Sequence, residues 1–147
     1  MRQITLAIES DIQNLGLVAV AVHRICEHLG AGQEESHQVE VCVHEAVANC
    51  IHHAYRNAPG QVVTVRVRES GGAIECDVCD NGISIPDAKV ELLKKRNEED
   101  ESFHDGNRHF EERGRGLKII AALMDEVAYF HDGAANCLRM TKKTRLG

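Results

Sequence analysis

The chain has 147 residues, of which 43% are apolar and 27% charged, and its net charge is −6. That length suits one domain with a sizeable core, and the acidic balance argues against a nucleic-acid binder, which needs a basic face. The longest apolar stretch, Leu15 to Val22, is far too short to cross a bilayer.

The elements follow in chain order. Ile4, Leu6 and Ile8 alternate with polar residues and predict a strand. Ser10-Asp11-Ile12-Gln13 reads as a capping box with Ser10 as N-cap, opening a helix that runs to Leu29 and stops at Gly30. Ala31 to Glu35 is expected to be a connector, with Ser36 capping a second long helix. That helix carries Val39, Val43, Ala46, Val47, Cys50 and Ala54 at helical spacing, and Asn57-Ala-Pro59-Gly60 ends it. Val63, Val65 and Val67 alternate with polar residues in the next strand. Gly71-Gly72 makes the hairpin turn, and Ile74, Cys76 and Val78 return as its partner, running into Asp80-Asn81-Gly82.

From Asp87 to Arg113 the chain holds nine acidic and six basic residues. A short helix is expected at Val90–Arg96 and a loop over the rest; a long loop inside a compact domain is commonly a lid. Gly114 to Met124 predicts a helix opened by glycines. Val127–His131 and Cys137–Lys142 are the last two strands, joined at Asp132-Gly133. The order β-α-α-β-β-lid-α-β-β predicts an α+β two-layer sandwich, with a mostly antiparallel mixed sheet and helices on one face.

The six cysteines, Cys26, Cys42, Cys50, Cys76, Cys79 and Cys137, mostly fall in apolar periodic segments and read as small core residues. Cys76 and Cys79 point to opposite faces of their strand, so they do not make a zinc half-site. The N-terminal residues read as a strand, not a secretion leader, and a reducing cytoplasm is expected.

Three local patterns carry chemistry. Glu45, Asn49 and His53 recur every four residues, a step of about 40° that places all three on one helix face. A carboxylate there can act as a general base, and an amide oxygen suits Mg2+. Asp80-Asn81-Gly82 puts a carboxylate at the rim of the sheet, able to accept from an exocyclic amine such as that of adenine. Gly114-Arg115-Gly116-Leu117 opens a helix whose N–H groups and dipole favour an anion, with Arg113 and Arg115 adding positive charge.

In this order, and on these elements, the patterns resemble the ATPase domain shared by gyrase-type topoisomerases, histidine kinases and bacterial anti-sigma serine kinases. The likeness runs from Leu6 to Lys142. Within it, Glu45-Ala-Val-Ala-Asn49-Cys-Ile-His-His53-Ala54-Tyr55 is similar to the anti-sigma kinase branch. The resemblance implies a single ATPase domain over residues 1–147 with an ATP lid near 87–113. It implies Glu45 as the base that takes a proton from a partner's Ser or Thr, Asn49 as Mg2+ ligand, and Asp80 as the adenine contact. Gly114, Arg115 and Gly116 would cradle phosphates, and further ATP contacts are expected from His53, Gly82, Ile85, Arg113, Leu117 and Asn136. The implied cofactors are ATP and Mg2+. The implied partners are a small anti-anti-sigma protein of the sulfate-transporter/antisigma-antagonist (STAS) type, a sigma factor and a second copy of the chain, with no nucleic acid or membrane.

Two positions depart from the pattern. Ser84 stands where the adenine box has its second glycine, and Gly133-Ala134-Ala135-Asn136 replaces the usual Gly-Thr before the last strand. Either Asn136 takes over from that Thr in backing the adenine-site Asp, or adenine is held more weakly. The alternative function is therefore a nucleotide-binding regulatory module with little or no kinase activity. A third is a component of a partner-switching pathway that lacks a sigma factor.

Overall fold

The computed structural model describes residues 1–94 and 112–144. Five strands, β1 (Gln3–Glu9), β2 (Val62–Ser70), β3 (Ala73–Asp80), β4 (Glu126–Asp132) and β5 (Ala135–Lys143), form one sheet in the order β1-β2-β3-β5-β4. Every ladder is antiparallel, so the described sheet is not mixed as expected. Strand β5 returns beside β3 and sets Asp80 opposite Asn136.

The helices α1 (Asn14–His28), α2 (Gln33–Asn49) and α4 (Glu112–Leu123) cover one face of this sheet; α3 (Asp87–Val90) is a single turn. Alternation explains the burial. Val63, Val65 and Val67 of β2 point into the core with Ile74, Cys76 and Val78 of β3 and Leu138 and Met140 of β5. Val18, Val22, Val39, Val43, Val47, Leu117 and Ile120 come down from the helices to meet them.

On the opposite face Asp77 is fully buried beneath arginines. Arg139 donates to it at 2.9 and 3.1 Å and Arg68 at 3.2 Å. Burial pushes this carboxyl up, but the bonds and charges of Arg139 and Arg68 outweigh burial and hold it below the usual carboxylate range.

Several expectations change. Ser10 does not cap α1: its hydroxyl donates to the Ala58 carbonyl at 2.8 Å and accepts from Gln61 N–H at 3.0 Å. It ties the end of β1 to the loop before β2, and the helix begins at Asn14 without a side-chain cap. Ser36 is likewise no cap. Helix α2 starts at Gln33, a turn earlier, so the connector shortens and Ser36 is buried inside the helix. The short helix after Pro86 begins at Asp87, followed by a 3-10 turn over Glu91–Leu93; the rest of the expected lid lies outside the described residues. Helix α4 begins at Glu112, two residues before the expected start at Gly114, so both glycines lie inside its first turns. Cys79 faces Cys137 across the β3–β5 ladder and is joined to it as a disulfide, so four of the six cysteines keep buried thiols outside a disulfide. That pairing is set by strand register, which local periodicity does not reveal. Among the described residues no helix is long and apolar enough to cross a membrane.

Candidate active site

Helix α2 delivers Glu45 and Asn49 one turn apart to the end of the sheet where β3 and β5 place Asp80 and Asn136. Past Asn49 the helix widens. Residues Cys50–Ala54 form a π turn, closed by a bond from Tyr55 N–H to the Cys50 carbonyl at 2.9 Å. Such turns recur at functional sites. This one breaks the four-residue repeat, so His53 does not continue the Glu45–Asn49 face. It is half-buried on the π turn and does not line the cavity beside Asp80.

The π turn also seats the loop after β3. The Ala54 carbonyl accepts from Ile83 N–H at 2.9 Å, and a Cβ at position 82 would collide with that carbonyl. Gly82 is therefore required by close approach. Tyr55 locks the same junction: its hydroxyl donates to the Val62 carbonyl at 2.6 Å and accepts from Asn81 N–H at 2.8 Å. Burial raises this phenol, which keeps it neutral for both roles.

Asp80 is 8% exposed. Its Oδ1 accepts from Gly82 N–H at 2.9 Å and from Asn136 Nδ2 at 3.0 Å, and its Oδ2 accepts from the Cys50 thiol at 3.3 Å. A carboxylate has about four acceptor positions, so Oδ2 keeps capacity for an amine donor. Asn136 also donates to the Gly82 carbonyl at 2.9 Å, and its Oδ1 accepts from the Ser84 hydroxyl at 2.9 Å. The two departures from the family pattern thus bond to each other and back Asp80, which favours the first of the two readings of Asn136.

Across the site, α4 packs against α2. A Cβ at Gly116 would stand 3.0 Å from Glu45 Oε2 and 3.6 Å from Asn49 Nδ2, so this glycine leaves open the space in front of both side chains. The Asn49 amide nitrogen is buried without a hydrogen-bond partner among the described residues. An unmet buried donor costs about 1–3 kcal/mol. Its position fits a polar ligand between α2 and α4, with Oδ1 of the same amide as a hard metal ligand.

Gly114 and Gly116 are buried, Arg115 is exposed, and Leu117 is fully buried in the core. Leu117 thus supports α4 from beneath and does not face the site. The side chain of Arg113 lies outside the described residues. Ala46, Asn49, Cys50, Asp80, Ile85 and Tyr129 are among the walls of a cavity of about 20 Å3, room for roughly one water. The Tyr129 hydroxyl closes one side by accepting from Ile85 N–H at 2.9 Å. Cys50, Tyr55 and Tyr129 were not among the expected site residues. Tyr55 and Cys50 fall inside the α2 motif and were legible there as sequence, whereas Tyr129 reaches the site only through the β4–β5 pairing.

The chain matches the model of the histidine kinase-like ATPase domain over residues 8–142. It is 31% identical over 137 residues to the anti-sigma F factor of Thermoanaerobacter pseudethanolicus, covering 90% of this chain and 87% of that protein. It is 25% identical over 143 residues to the serine-protein kinase RsbW of Bacillus mycoides, covering 95% and 84%. Among solved structures, the SiaB–SiaC complex from Pseudomonas aeruginosa has a chain that matches with a TM-score of 0.61 at 19% identity, covering 92% and 88%. The RsbU and RsbW domains of Rv1364c from Mycobacterium tuberculosis match with a TM-score of 0.65 at 14% identity; the match covers 98% of this chain but only 33% of that one. These structures share the fold, and the domain match, supported by the relatives that cover most of the chain, shows that it belongs to the histidine kinase-like ATPase family.

Proposed function

We propose that this chain is an ATP-dependent protein serine/threonine kinase of a bacterial partner-switching pathway. The observation that carries the reading is the open space at Gly116, faced by the Glu45 carboxylate and the unmet Asn49 amide. Names among the relatives, serine-protein kinase and anti-sigma F factor, support it at the level of the family.

Each residue then has a task. Asp80, held in place by Asn136, Gly82 and Cys50, accepts from the adenine amine. Asn49 ligates Mg2+, which supplies charge neutralisation on the phosphates. The N–H groups at the start of α4 face the phosphates, with Arg113 and Arg115 adding charge. Glu45 takes the proton from the hydroxyl of the partner's Ser or Thr as the oxygen attacks. Phosphoryl transfer depends mainly on positioning and charge, so few side chains suffice. The proposed substrate is a small STAS-type anti-anti-sigma protein. A sigma factor and a second copy of the chain complete the partner set, in the cytoplasm, with residues 1–147 acting as one ATPase domain.

The test is phosphoryl transfer from labelled ATP to STAS-type proteins of the same genome. Label is expected on a Ser or Thr of one of them, and Glu45→Gln should lower the rate about a hundredfold or more while leaving nucleotide affinity near that of the parent. Undiminished transfer by Glu45→Gln would refute the base assignment.

A second reading rests on the cavity beside Asp80, which at about 20 Å3 must open before a purine enters. A pocket that opens seldom binds nucleotide weakly, and weak ATP binding with partner binding retained and no phosphate transfer would select that reading.

A further inference from the structure

We propose that His23, His37 and Glu40 form a binding site for one zinc-class divalent ion that clamps α1 to α2. His37 and Glu40 lie three residues apart on α2 and therefore share a face; α1 packs alongside and supplies His23. The His23 Nδ1 atom is 2.7 Å from Glu40 Oε1, and His37 Nδ1 is 3.7 Å from the same oxygen. One ligand atom from each residue lies within 4.8 Å of the other two. In a tetrahedral zinc site, bonds of about 2.0–2.2 Å set neighbouring ligands roughly 3.3 Å apart. The cluster is thus within a small side-chain rotation of that geometry, and His37, at 68% side-chain exposure, is free to make it.

The second nitrogen of His23 supplies an independent argument. Its Nε2 is 3.5 Å from the Glu27 carboxylate, which in turn accepts from Gln33 Nε2 at 3.0 Å. A carboxylate that hydrogen-bonds a ligating imidazole fixes its tautomer and raises its basicity; here Glu27 Oε1 stands at ion-pair distance from His23 while the same oxygen accepts from Arg24 at 3.3 Å, so the ring must turn slightly to make that bond. Two imidazoles and a carboxylate favour zinc, copper or nickel over magnesium. Three protein ligands leave a fourth position for water. The site is separate from Glu45 and Asn49, which lie further along α2.

The test uses the full chain stripped with EDTA, then titrated with Co2+ and challenged with Zn2+. One equivalent of Co2+ should give visible ligand-field absorption without a thiolate charge-transfer band, and Zn2+ should displace it. His23→Ala, His37→Ala and Glu40→Gln should each weaken binding about tenfold or more, whereas His28→Ala, on the same helix outside the cluster, should not. Because His37 is exposed, His37→Ala should melt like the parent, separating loss of a ligand from loss of fold. No saturable Co2+ binding, unchanged binding in His23→Ala and His37→Ala, or a thiolate band from the cysteines would each overturn the assignment.

Discussion

Replacing Gly116 by Ala should move stability and activity in opposite directions. Gly116 is the fifth residue of α4, where Ala is favoured over Gly by about 1 kcal/mol. Against this stands the new methyl group, 3.0 Å from Glu45 Oε2. That distance is a few tenths of an ångström too short, and the obstacle is the end of a flexible carboxylate side chain, not backbone. Glu45 can turn aside at little cost, so the fold should keep most of the helix gain, a rise in Tm of up to about 3 °C for a domain of this size. Under the proposed mechanism, however, the displaced carboxylate would no longer meet the partner's hydroxyl. Misplacement by 1 Å costs about a hundredfold in rate, so a shift of a few tenths should cost about tenfold. Thermal melting and phosphoryl transfer, measured on one preparation, read the two effects separately. A lower Tm with unchanged transfer would refute the reasoning, because it would make position 116 a packing site and place Glu45 outside the reaction.

Three further substitutions probe the surroundings. Asn136→Ala removes a donor from Asp80 and a partner from Ser84; it should destabilise by about 1–2 kcal/mol and weaken ATP binding, read by denaturant melts and by titration. Gly82→Ala drives a methyl group into the Ala54 carbonyl and should cost about 1–3 kcal/mol as the loop shifts, with loss of the Ile83–Ala54 bond visible as faster amide exchange. Asp77→Asn uncouples Arg68 and Arg139 and should cost about 2 kcal/mol, below the usual figure for a buried pair because the Arg139 side chain is 39% exposed. Since the Asp77 carboxyl is held below its ordinary value, its contribution is present above about pH 4 and lost as pH falls through the lower, folded value. The stability gap between parent and Asp77→Asn should therefore narrow in acid.

Much of this architecture was legible because it is periodic. Alternating valines marked β2, Gly71-Gly72 marked its turn, and the four-residue step from Glu45 to Asn49 put both at the mouth of the site. What escaped local reading depends on contacts distant in sequence. The π turn at Cys50–Ala54 is seated by the loop around Gly82 and by Tyr55, whose hydroxyl binds Asn81, so a pattern of helix-compatible residues could not reveal where the pitch widens. Ser10 looked like a cap because it precedes a helix, but its partners are Ala58 and Gln61. The sequence offers two readings of Asn136, and the choice between them required the register that sets it opposite Asp80. Pairing of Cys79 with Cys137, and of His23 with Glu40, likewise required the strands and helices to be placed.

The central claim is that Asn49, Asp80 and Gly116 surround a Mg-nucleotide site. Calorimetric titration with ATP, with and without Mg2+, on the parent chain and on Asp80→Asn tests it most directly. The account predicts saturable binding strengthened by Mg2+ in the parent and weakened at least about tenfold when the adenine-accepting carboxylate becomes an amide. No binding at millimolar ATP, or equal affinity in the two proteins, would contradict it.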